Sequence, residues 1–76
     1  MLKMMISAKD LELIALREIR SFPGGEYAAH VEITPLNDEW SLMVTMRDGA
    51  DPEQIKYAVS RTISHLKHRY SLRSDW

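Results

Sequence analysis

The sequence predicts an α+β domain in which two helices lie on one face of an antiparallel hairpin, in the order α-β-β-α. Three observations lead there. Apolar residues recur at helical spacing over residues 8–22 and 55–70. They alternate with a period of two over residues 26–34 and 39–47. Pro, Gly, Asn or Asp punctuates each change of period.

The first helix opens at Ser7-Ala8-Lys9-Asp10, where Ser7 serves as N-cap and a carboxylate follows three residues on. Ala8, Leu11, Ala15, Ile19 and Phe22 fall on one stripe, with Ile14 and Leu16 at its flanks and Leu13 on the far side. The helix is expected to run to about Phe22, where Pro23-Gly24-Gly25 stops it. In the strand that follows, Tyr27, Ala29, Val31 and Ile33 point one way, and Ala28, His30, Glu32 and Thr34 the other.

The second strand places Trp40, Leu42, Val44 and Met46 on one face, with Ser41, Met43, Thr45 and Arg47 on its reverse. A turn near Asn37-Asp38 sets Ile33 opposite Leu42, Val31 opposite Val44 and Ala29 opposite Met46, which gathers the apolar side chains on one face. Asp51-Pro52-Glu53-Gln54 is the strongest local signal, with an N-cap acid, proline at the first helical position and Gln at the capping-box position. The helix it starts carries Ile55, Val59, Thr62, Ile63, Leu66 and Tyr70 on one stripe and is expected to end near Ser71.

The chain reads as a single domain over residues 1–76, with 71–76 as a tail. Residues 1–6 are either a loose start or a short extra strand, since Leu2, Met4 and Ile6 alternate with Lys3 and Met5. There is no cysteine, which excludes disulfides and thiolate metal sites. A core this small gains from a partner subunit, because below roughly 70–80 residues it seldom supplies more than about 3–5 kcal/mol. Both hairpin strands are edges with little Lys or Pro to block pairing. A homodimer with a continuous four-stranded sheet is therefore expected, and Leu13 and Met43 are candidate interface residues. No stretch is long and apolar enough to span a bilayer or to form a signal-peptide core, so a cytoplasmic location is expected.

Charge is sorted along the chain. Residues 1–53 hold five Lys/Arg against ten Asp/Glu, whereas residues 54–76 hold five Lys/Arg against Asp75 alone. Tyr57, Arg61 and His65 step by four along one side of the last helix, His68 continues the strip and Arg69 borders it. Lys67 lies across the apolar stripe and Arg73 beyond the helix. Cations beside a planar aromatic suit phosphates and bases, so these seven residues are the candidate anion or nucleic-acid contacts. Basic residues at a helix C-terminus also complement the macrodipole without any ligand. A double-stranded-RNA-binding domain would need lysines where this helix opens with Asp51 and Glu53. A KH module would need a GXXG loop between helices, whereas Gly24-Gly25 leads into a strand.

No catalytic or metal-ligating set is assigned, and no cofactor is expected. His65 and His68 are three apart on a helix, but zinc wants four ligands, or three plus water, and His30 and Glu32 belong to the sheet. His30 with Glu32 lacks an activated nucleophile and a concave site. The reading is a small self-associating binding or adaptor domain that acts through its surface, with nucleic-acid binding by the last helix as the alternative.

Overall fold

The computed structural model describes residues 4–36 and 39–72. The chain forms strand β1 (Met4–Ile6), helix α1 (Ala8–Arg20), a 3-10 turn (Gly25–Tyr27), strands β2 (Ala28–Leu36) and β3 (Glu39–Met46), helix α2 (Pro52–Arg69) and strand β4 (Tyr70–Leu72). It is an α+β fold with an antiparallel β2–β3 hairpin and a separate parallel pair, β1–β4. The proposed hairpin turn at Asn37-Asp38 lies outside the described residues. No helix among the described residues is long and apolar enough to cross a membrane.

Both helices start where their caps dictate. Ser7 Oγ accepts from the Asp10 amide at 3.2 Å, and Asp51 Oδ1 accepts from the Glu53 amide at 3.0 Å. Helix α1 ends at Arg20, two residues before Phe22. The chain reverses through Gly24 at φ 81°, a left-handed conformation that glycine takes without strain. Gln54 does not complete a capping box. Its side chain lies over Gly24 in a space a Cβ would fill.

The core joins the α1 stripe (Leu11, Ala15, Ile19), the inner hairpin face (Val31, Ile33, Trp40, Leu42) and the α2 stripe (Ile55, Ala58, Leu66). On the reverse of the hairpin, His30, Glu32, Thr34, Ser41, Met43 and Thr45 are exposed. Burial thus alternates as the period-two reading requires, with both helices on one face.

Three expectations are corrected. Ile33 faces Leu42 and Val31 faces Val44, but Met46 pairs with Ala28 and not with Ala29, because a bulge lies between Ala28 and His30. The extra residue inverts the parity, so Ala28 is fully buried and Tyr27 belongs to the 3-10 turn. Helix α2 stops at Arg69, and Tyr70–Leu72 is drawn into an extended strand by pairing with β1. Of the proposed terminal strand, Met4–Ile6 is extended, but its partner is β4 and not the hairpin.

A further correction concerns the edges, of which β2's is not bare. Helix α1 runs beside β2, and Glu12 Oε2 accepts from the Ile33 amide at 2.9 Å. Two turns further along, Arg20 Nε donates to the Ala28 carbonyl at 3.1 Å. Pro35 shares the outward parity of Ile33 and has no N–H to offer. Side chains of α1 and a proline therefore occupy the rim that an incoming strand would need.

Candidate interaction surfaces

Strand β3 presents the other rim. Because the Ile33 amide points away from β3, its cross-strand neighbour Leu42 turns its own N–H and C=O away from β2, and Val44 does the same. Among the described residues no hydrogen bond reaches these outward groups. Strand β4 also comes near β3, but among the described residues no ladder joins the two, and β4 pairs with β1 alone.

Alongside this rim runs an apolar groove of about 380 Å³ between β3 and α2. Val44 and Met46 line it from the strand, and Ile55, Val59 and Ile63 from the helix, with Lys56 at its margin. It exists because the α2 stripe is wider than the core can cover. Ile55 is buried, while Val59 and Ile63 pack against the core from its flank and are only partly buried. The groove was not singled out by sequence reasoning, although the breadth of that stripe carries the signal.

The two candidate interface residues lie on different surfaces. Met43 is 66% exposed on the outer sheet face, midway along the free rim of β3. Leu13 is 62% exposed on the far side of α1, remote from that rim.

The candidate contact residues of the basic helix divide into engaged and unengaged side chains. His65 Nδ1 lies 2.8 and 2.9 Å from the two carboxylate oxygens of Glu18, tying α2 to α1. An ionised carboxylate only accepts, so that Nδ1 carries the proton. His68 Nδ1 donates to the Ser64 carbonyl at 3.1 Å. Lys67 sits on the opposite side of the helix, with its Nζ 3.6 Å from Glu39 Oε1 and 5.3 Å from the centre of the Trp40 ring. Tyr57 is 60% exposed and meets the Phe22 ring edge-on at 6.1 Å. Arg61 and Arg69 are exposed with no carboxylate contact among the described residues, and Arg73 lies outside them.

The structure therefore brings Tyr57, Arg61, His65, His68 and Arg69 to one flank of α2 and separates Lys67 from them. His65 and His68 do not converge on a third ligand, and no group of three or more His, Asp or Glu arranged for a metal occurs among the described residues. A scan against protein-family models and searches of characterised proteins and solved structures give no significant match to this chain.

Proposed function

We propose that the protein is a small self-associating binding domain that works by presenting surfaces and not by catalysing a reaction. The observation that carries this reading is the asymmetry between the two hairpin rims. One is closed by Glu12, Arg20 and Pro35, and the other, among the described residues, is open along Leu42 and Val44 beside an apolar groove. Hydrogen-bonding groups left open next to uncovered apolar surface are what a second strand satisfies. Pairing of two copies would extend the hairpin to four strands about a two-fold axis. It would also enlarge the core of a small domain, which buries a smaller fraction of its surface than a large one. Leu13, on the opposite side of the molecule, would stay available to a further protein.

Sedimentation equilibrium at micromolar concentration tests the proposal. A dimer mass is expected, and a single 8.8 kDa species would overturn it.

The exposed Tyr57 ring flanked by Arg61 supports a second reading, nucleic-acid binding by α2. Glu18 and Glu39 count against it, since they engage His65 and Lys67, two of the side chains that phosphate would need. Retention on nucleic acid that weakens with a log–log salt slope of about −0.7 to −0.9 per phosphate would favour it. No retention at about 50 mM salt would remove it.

A further inference from the structure

We infer that the occupant of the β3 rim is the same strand of a second copy, antiparallel and in a single register, with Met43 facing the partner's Met43 across the two-fold axis. The inference rests on the self-association proposed above and specifies its geometry.

Parity sets the first constraint. Leu42 and Val44 turn their backbone groups to the rim, so even-numbered residues must meet even-numbered residues of the partner. The ladder runs one residue past β3, since the Arg47 amide donates to the Tyr27 carbonyl at 2.8 Å, and over residues 39–47 the registers of greatest overlap are those centred on residues 42, 43 and 44. Charge selects among them. Centred on Met43, the pairing puts Glu39, an exposed carboxylate that Lys67 Nζ approaches only to 3.6 Å, opposite the partner's Arg47, and Arg47 opposite the partner's Glu39. Centred on Leu42, Glu39 faces the partner's Thr45. Centred on Val44, Arg47 faces the partner's Ser41. Only the middle register closes two opposite-charge pairs, one at each end of the paired segment.

The same register satisfies the side chains between the charges. On the outer face Ser41 meets the partner's Thr45, and the exposed Met43 meets its own copy at the closest-approach position. On the inner face Leu42 meets the partner's Val44, so the two grooves lined by Val44, Met46, Val59 and Ile63 adjoin across the axis. The segment 39–47, β3 and the residue after it, has acid at one end, base at the other and an exposed methionine at its midpoint, and is complementary to itself in the antiparallel sense.

The absence of cysteine makes the test clean. At the axis the two residue-43 Cα atoms would lie about 4.5 Å apart, within the roughly 4.4–6.8 Å span of a disulfide. Met43→Cys is expected to oxidise readily to a covalent dimer, whereas Ser41→Cys and Thr45→Cys are expected to stay largely monomeric on denaturing gels. Glu39→Arg and Arg47→Glu should each weaken the dimer about tenfold or more. An equimolar mixture of the two variants should assemble, because each unlike pair is then opposite in charge. That recovery cannot come from misfolded protein.

A wild-type dimer whose Met43→Cys form fails to cross-link, and whose charge variants fail to recover on mixing, overturns the register and leaves self-association standing. A monomer at every concentration overturns both. A monomer with exchange-protected Leu42 and Val44 amides would assign the rim to another stretch of the same chain, and it overturns the inference likewise.

Discussion

Thr62 is fully buried on the core side of α2, and its hydroxyl has no hydrogen-bond partner among the described residues. A hydroxyl stranded in an apolar core costs about 1–3 kcal/mol relative to a satisfied one. Thr62→Val keeps the shape and removes the polar atom, so it is expected to stabilise the fold by about 1 kcal/mol. The check is a urea titration in which the midpoint rises and the slope is unchanged. Gly25 has the opposite sensitivity. A Cβ there would run into the Ile19 carbonyl, which is backbone and cannot swing aside. Gly25→Ala should therefore destabilise by about 1–3 kcal/mol in the same titration. The two N-caps were legible because a cap is a local event between Ser7 and Asp10, or Asp51 and Glu53. The partners of His65 and Lys67 were not legible. Glu18 and Glu39 reach them only through the fold, and no spacing in the chain announces either pair.

At the scale of the element, Glu12 works as the seal of a strand rim. Removing its carboxylate by Glu12→Ala leaves the Ile33 amide without its acceptor, at a cost of about 1–2 kcal/mol. Hydrogen exchange should show the Ile33 amide losing protection ahead of the inward-pointing amides of β2. Unchanged protection at Ile33 would mean that something other than Glu12 covers the rim. The hairpin register was readable at Val31–Val44 and Ile33–Leu42, where large apolar side chains leave one acceptable parity. It was unreadable at Ala28-Ala29, because two successive alanines carry almost no preference for either face and so concealed the bulge. Tyr70 misled for a related reason. It continues the stripe of Leu66 at helical spacing, and only pairing with β1, from the far end of the sequence, makes it extended.

For the whole molecule, self-association implies that stability depends on concentration. If two copies share the β3 rim, the thermal midpoint should climb as protein concentration rises, by about 4–8 °C for each kcal/mol gained. The Leu42 and Val44 amides should become protected over the same range. A midpoint independent of concentration would show that assembly contributes nothing to the fold. The α+β class and the two-layer arrangement were legible from periodicity because each amphipathic segment must hide one face. The difference between the two rims was not, since it depends on where α1 comes to rest.

The short pair of β1 and β4 also determines how the protein meets a pull. These strands run parallel, with Met4 beside Tyr70 and Ile6 beside Leu72. Tension applied at residue 4 and residue 72 would slide one strand lengthwise past the other, so their shared bonds would strain together and not part singly like a zip. Traction on a tether would thus meet its first resistance at this clasp, before either the hairpin or the helices felt the load.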